Sequence, residues 1–423
     1  MDSSLNFQFH FFPVGQGLFS CGVLSRDNSS TSQFTWVYDC GTTSSQKLID
    51  RSIAVLEKLI GHSKQIDLLV LSHFDRDHIS GVTKLLGRFK VGTLLLPYMY
   101  LPQSIAVGFD EGLAADDELM GFFINPVLYL TSIEGAQIEQ IAFVRPSDGD
   151  GPPPSEGSPN EPNPSDGRIQ LEISETQEIS RVDLRRFDSA YKAIGKKTRV
   201  VLVPPGAVVK CSRLWEFVPY NDDSHKKIPV EFGKLVDDSC EVLLNAGNFG
   251  ARERALEELK TIYDRTFGRS PIGRNMISLS LYTGPIYASY SESCIGAFSS
   301  AMVCGCYISR VCNEGGVLKT RCSLIYTGDA YFETPEKLGR FADYLGESRV
   351  SRVGIFQVMH HGAEGNWHPG VADSIHPLIS VFSSDPQHKA FGHPHGSVLR
   401  DFWPYSPIQV DKVHEFLAHG FLV

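Results

Sequence analysis

Four stretches of this chain end an apolar run in side chains that ionise or ligate. They are "TWVYDCG" at Asp39, "LLVLSHFDRDH" at His73 to His78, "LIYTGDA" at Asp329 and "IFQVMHHG" at His360 and His361. The second is the densest, holding His73, Asp75, Asp77 and His78 in six consecutive positions. Two carboxylates and two imidazoles at the mouth of a buried strand are costly unless a cation sits among them. Imidazole and carboxylate donors without thiolate suit a catalytic zinc, manganese or iron site rather than a structural zinc. A lone Asp beside Gly is ordinarily a turn former, and so is "HHG". Recurrence at four strand ends is what points to one site, because carboxyl ends of strands in an open α/β sheet converge on one edge.

The elements that must position these groups follow from periodicity. "NFQFHFFPVGQGLFSCGVL", turning on Gly15 and Gly17, and "FTWVYDCG" read as paired strands opening a sheet. Ile49, Ile53, Leu56 and Ile60 fall at helical spacing, with Ser44 or Ser45 as N-cap and Gly61 as the stop. "IDLLVLSH", a short helix from Ile79 and "VGTLLLPYMY" continue the alternation, which predicts an α/β layered core. After Tyr100 the rhythm fails, and residues 145–167, "RPSDGDGPPPSEGSPNEPNPSDG", read as a solvated loop. Strand-like runs resume at 198–209 and 213–221, followed by an amphipathic helix at 251–267. Buried strands return from "NMISLSLYTG" onward, with a helix at 334–346 capped by Thr334 and carrying Pro335 in its first turn. The expected division is therefore 1–100, an insertion over 101–270, and 271–423.

Composition excludes several classes. With 39 basic and 49 acidic residues among 423, the net charge of −10 argues against a generally basic nucleic-acid binder. No apolar run approaches the roughly 20 residues of a membrane span, and "MDSSLNFQFHFF" lacks the basic start of a signal peptide. Nine cysteines without regular spacing read as reduced thiols, which predicts a cytoplasmic protein. Cys304, Cys306, Cys312 and Cys322 lack the paired spacing of a zinc knuckle and read as structural thiols. "GKKTR" and "HKK" read as solvated surface, "GPPPSEGSP" lacks a basic-flanked PxxP, and no G-x-S-x-G elbow supports a serine hydrolase.

"HFDRDH" resembles the HxHxDH signature of the metallo-β-lactamase superfamily, in the HxDxDH form of its competence-type (ComEC-like) branch. "VGQGLFS", "VYDCG" and "NMISLSL" are similar to that family's VGQGD turn, Asp-Gly strand end and NxxSLVL strand. "YTGDA", "MHHG" and "FGHPHGSVL" are similar to its TGDA, HHGS and GHPHPEVL segments. The resemblance implies a four-layer αββα sandwich with a large insertion and a binuclear site. His73 and Asp75 would bind one metal, and Asp77 and His78 the second, with His360 or His361 beside them. Asp329 would bridge the two, and Asp39 would support the site from behind. His393 and His395 would orient a phosphate or protonate a leaving group, so Asp77, His361, His393 and His395 are the catalytic candidates.

Three departures from the pattern bear on these expectations. Asp75 stands for the second histidine of the commoner signature, which enriches the site in oxygen. The expected cofactors are two divalent ions, manganese or zinc, with magnesium admissible. A further ligand of the first metal is left to His225, to Asp222 or to nothing. Leu18 stands where the family has Asp after VGQG. The implied function is a metal-dependent hydrolase, a phosphodiesterase or nuclease using a metal-activated water. Its substrate would be a nucleic acid or nucleotide phosphodiester. The alternatives are a hydrolase of a small nucleotide or other ester, and a partner-bound component with a degenerate metal site. Such a protein partner would dock through 101–270, and no membrane is expected.

Overall fold

The computed structural model describes residues 5–26, 33–147 (apart from 111, 115, 116 and 118), 153–155, 169–177, 198–222 (apart from 213), 249–267, 278–286, 293–299 and 321–422. Among these, one sheet runs in the order β12 (Ser293–Ser299), β17 (Phe416–Leu422), β1 (Leu5–Phe11), β2 (Phe19–Arg26), β3 (Gln33–Cys40), β4 (Gln65–Val70), β5 (Lys90–Pro97), β6 (Gln137–Val144), β8 (Arg199–Val203). Its β12 to β3 portion is antiparallel, and from β3 to β8 it is parallel. The second sheet runs β16 (Pro407–Val410), β15 (Ile379–Ser383), β14 (Val353–Gln357), β13 (Ser323–Tyr326), β11 (Ser278–Pro285), β10 (Trp215–Asp222), β9 (Val209–Cys211), β7 (Leu171–Ile173). Strands β13 to β16 are parallel, and the rest of this sheet is antiparallel.

Strand alternation separates the core into three apolar layers. Phe7, Phe9 and Phe11 of β1 face Trp215, Phe217 and Tyr326 between the two sheets. Ile66 and Leu69 of β4 face the other way, against Ile49, Ile53 and Leu56 of helix α1 (Gln46–Ile60). A third layer packs Ile325, Val353 and Phe356 under Leu338, Phe341 and Leu345 of the helix Pro335–Leu345. Helix, sheet, sheet, helix is thus the order of layers, the four-layer αββα sandwich expected. Two helix starts follow the predicted caps. Ser45 accepts from the N–H of Lys47, and Thr334 accepts from that of Lys337 ahead of Pro335.

Two expectations are corrected. The short helix starts at Arg76, not Ile79: α2 (Arg76–Ile79) takes Asp75 as its N-cap position, and α3 (Val82–Leu86) follows. Nor does the alternation fail at Tyr100. Helices α4 (Leu101–Asp110), α5 (Met120–Ile124) and α6 (Pro126–Ser132) lead into β6, which extends the parallel sheet beside β5. Strands β6 to β10 all fall within 101–270 and are members of the two sheets, so that interval contributes to the sandwich itself. Pro153 to Ser155 are the described part of the Pro-rich stretch beyond Ser147, and the carbonyls of Pro154 and Ser155 accept from the Arg349 guanidinium. No helix of the described residues is long and apolar enough to cross a membrane.

Candidate metal centre

The site forms where carboxyl ends of parallel strands from both sheets meet. Asp39 closes β3, His73 follows β4, Asp329 follows β13, and His360 and His361 follow β14. The turn bearing Asp77 and His78 is pressed against two glycines. A Cβ on Gly41 would fall 2.4 Å from the His78 backbone, and one on Gly17 would fall 2.8 Å from the Asp77 carbonyl. The close approach is why "VGQG" and "DCG" need glycine there. Leu18, at the position expected to hold Asp, donates its backbone N–H to the Asp77 carbonyl at 3.0 Å, a contact independent of side chain. Phe74 packs edge-on to Phe122 of α5, so the segment after Tyr100 buttresses the turn.

Each histidine is held by its Nδ1. Asp39, fully buried, accepts the N–H of Ser72 at 2.7 Å, the Ser72 hydroxyl at 2.6 Å and His78 Nδ1 at 2.7 Å. His73 Nδ1 lies 2.9 Å from Ser72 Oγ, His361 Nδ1 2.5 Å from the Ser383 carbonyl, and His360 Nδ1 2.5 Å from Asn366 Oδ1. Oxygen anchors of this kind fix the tautomer and turn Nε2 toward the ligand position. Asp39, His360 and His361 adopt φ of 56°, 46° and 58°, a left-handed backbone that side chains other than Gly rarely take.

The Nε2 atoms converge on Asp329, which is 2% exposed. Its Oδ1 faces His78 Nε2 at 3.1 Å and His361 Nε2 at 3.9 Å, while Oδ2 faces His73 Nε2 at 3.4 Å and His360 Nε2 at 3.5 Å. Asp77 Oδ2 lies 3.3 Å from His361 Nε2, and Asp75 Oδ2 lies 3.8 Å from His73 Nε2. The Nε2 atoms of His73, His78 and His361 are buried, yet none meets hydrogen-bond geometry with any partner. Three sets among the described residues bring ligand atoms within 4.8 Å of one another: His73, Asp75 and Asp329; His73, Asp77 and His78; His78, Asp329 and His361. A carboxylate with one oxygen toward each group of histidines, amid buried lone pairs, fits divalent cations in chemistry and arrangement.

Charge supports the same fit. Burial works against protonating His78, but Asp329 and Asp39 outweigh it and hold the imidazole well above its usual pKa. Burial and the neighbouring His78 push His73 down. Asp77 resists ionisation through burial, yet its bond to His361 and the charges of His78 and His361 prevail and lower it. Asp329 is likewise held low against burial by His360, His78 and His73. A cation bound there would compete with protons for the same Nε2 lone pairs.

Other expected residues lie as follows. His393 sits beside the cluster, its ring centre 5.7 Å from that of His360 and 6.3 Å from that of His361. Burial and the surrounding histidines lower its pKa to about 3. His395 is 5.1 Å further on, centre to centre. Asp222 ends β10 opposite Ser278 and belongs to none of the three sets. His225, Cys304, Cys306 and Cys312 lie outside the described residues. Cys322 is buried between the sheets, as a structural thiol. Sequence reasoning gave no role to Ser72, Asn366, Ser383 or Gln16; Ser72 and Gln16 at least stood inside quoted motifs.

No curated protein matches this chain. Among solved structures it is similar to human tRNase Z, short form, with 10% identity over 88% of this chain and 90% of that one, at a TM-score of 0.34. It is also similar to the metallo-beta-lactamase fold protein YhfI from Bacillus subtilis, with 9% identity over 96% of each chain, at a TM-score of 0.33. Residues 31–97, which hold Asp39 and the whole His73–His78 turn, match the family described as the Metallo-beta-lactamase superfamily. By that match over residues 31–97 and by its four-layer arrangement, the chain is similar to the metallo-β-lactamase superfamily.

Proposed function

We propose that this protein is a metal-dependent hydrolase of phosphodiesters, a nuclease or nucleotide phosphodiesterase. The observation that carries the reading is the convergence of three buried, hydrogen-bond-deficient Nε2 atoms on the Asp329 carboxylate. His73 and Asp75 would hold one divalent ion, and His78, His361 and Asp77 the other, with Asp329 shared. Bound there, the ions would supply Lewis-acid polarisation of a phosphoryl oxygen and acidification of water. His360, whose Nε2 lies on the Oδ2 side of Asp329 with that of His73, would supply the first ion's further ligand. The oxygen-rich donor set favours manganese or magnesium over zinc.

The chain's own residues supply the rest. Asp39 orients His78 and Ser72, and Ser72 orients His73, so the ligand atoms are in place before substrate arrives. His393 and His395 flank the cluster as groups that contact the phosphoryl or leaving-group oxygen. The HxDxDH form and the "GHPH" segment support the competence-type branch, and reduced buried thiols support a cytoplasmic setting. The test is a manganese-supplemented panel of plasmid DNA, single-stranded DNA, RNA and cyclic nucleotides, with Asp329→Ala as control. Cleavage lost in the control is expected. Turnover confined to small nucleotides would rule out the nuclease, and none on any phosphodiester would rule out both.

A further inference from the structure

Six histidines line the site, and the partner at each Nδ1 decides which ring nitrogen carries the proton. Four face oxygen: His73 meets Ser72 Oγ, His78 the Asp39 carboxylate, His360 Asn366 Oδ1 and His361 the Ser383 carbonyl. Two of these anchors could in principle donate, and neither does. The Ser72 hydroxyl gives its hydrogen to Asp39, and the Asn366 amide nitrogen gives its hydrogens to the carbonyls of Asp329 and Ala330. In the neutral ring all four therefore donate at Nδ1 and leave on Nε2 the lone pair that a ligand needs.

His393 and His395 face nitrogen instead. The backbone N–H of Glu364 donates to His395 Nδ1 at 3.2 Å, and a backbone N–H has no other role to play. Gln16 Nε2 lies 3.4 Å from His393 Nδ1. Its amide cannot be reversed, because Oε1 accepts the backbone N–H of Asp385 at 3.3 Å, which fixes the amide nitrogen on the His393 side. Gln16 is 1% exposed, so both of its contacts lie away from bulk solvent. Asp385 is held in turn by Lys412.

We infer that Gln16 and the Glu364 N–H fix His393 and His395 with the proton on Nε2, as paired hydrogen-bond donors for an anionic substrate oxygen beside four histidines kept as lone-pair ligands. Gln16 is on this view a positioning residue, acting through His393. The identity of the anionic oxygen rests on the phosphodiester reading above; the proton positions do not.

The experiment is two-bond ¹H–¹⁵N correlation on the full chain, labelled with ¹⁵N-histidine and loaded with diamagnetic zinc. Loss of signals in His393→Asn and His395→Asn assigns the two rings. The expected result is a protonated Nε2 and an unprotonated Nδ1 in both. Gln16→Glu presents only acceptors, so it should move the His393 proton to Nδ1 and leave His395 unchanged. A wild-type His393 protonated at Nδ1 overturns the inference, as does an unaltered His393 in folded Gln16→Glu. Should that variant not fold, the wild-type spectrum decides alone. On a substrate found by the panel, Gln16→Glu should lower kcat roughly 10²-fold with metal content and KM unchanged. Failure of every substrate would sink the hydrolase reading while leaving the spectroscopic result standing.

Discussion

Among the described residues, two clusters of charged side chains buried in this sandwich are finished differently. In one, Glu216 of β10 binds Arg349 through both oxygens, at 2.8 and 3.0 Å. Arg349 spends its remaining donors on the carbonyls of Pro154, Ser155 and Leu345, and Arg352 bonds those of Ser348, Pro285 and Ile286. None of these buried atoms lacks a hydrogen-bond partner. In the other, around Asp329, every Nδ1 is anchored while the Nε2 atoms of His73, His78 and His361 have no bond of proper geometry. A cluster that only holds the fold together closes its own hydrogen bonds, since an unmet buried group costs about 1–3 kcal/mol. A cluster anchored at its back and unfinished at its front is completed by something the chain does not supply.

Substitutions can break this contrast, and the largest effect should fall on the unfinished cluster. Asp329→Asn is expected to lower hydrolytic activity at least 10³-fold, roughly 4 kcal/mol of barrier. The metal-free protein should lose less stability than in the Glu216 variant below, because the isosteric amide still offers an oxygen to the facing histidines and removes a buried charge. Activity assay and urea melts of the same sample check both halves. Glu216→Ala should do the reverse. It strands the guanidinium of Arg349 and should cost about 3–5 kcal/mol of stability, read as a lowered urea midpoint, with metal stoichiometry unchanged in the folded fraction.

A smaller effect sharpens the contrast with a lone carboxylate. Asp67 lies in β4, the strand that leads to His73, and accepts the Thr35 N–H at 2.7 Å. Burial raises its pKa to about 6. The folded protein therefore binds this proton more tightly than the unfolded chain, so the group's stabilisation is full below about pH 4 and is lost as pH rises through about 6. Asp67→Asn keeps an acceptor for Thr35 and removes the titration. It should be roughly 2 kcal/mol more stable than wild type at pH 7.5, with the difference vanishing at pH 4. A pH-independent difference in thermal denaturation would contradict this.

What could be read in advance followed from local physics. Helix α1 declared itself because Ile49, Ile53, Leu56 and Ile60 repeat with the helical period and bury together. The candidate metal centre stood out because charged residues at strand ends are costly unless they serve a site. Strand β6, "QIEQIAFV", did not, since Gln140 breaks its alternation and its amino-terminal half carries exposed Gln137 and Glu139. Helices α4 to α6 are short and apolar, with no clear polar face to give a period. The supporting shell was hidden for another reason. The Ser383 carbonyl leaves no mark in side-chain identity, and Asn366 resembles any loop asparagine until the fold sets it between His360 and Asp329. The choice between His360 and His361 depended on backbone angles, which sequence alone did not supply.

The most direct test is an anomalous difference map from a crystal grown with manganese, measured at the manganese edge. The account predicts two peaks, one bounded by His73, Asp75 and Asp329 and the other by His78, His361 and Asp329, both absent in Asp329→Ala. Featureless density between those side chains in the wild-type protein, with their Nε2 atoms bonded to ordered water alone, would contradict it.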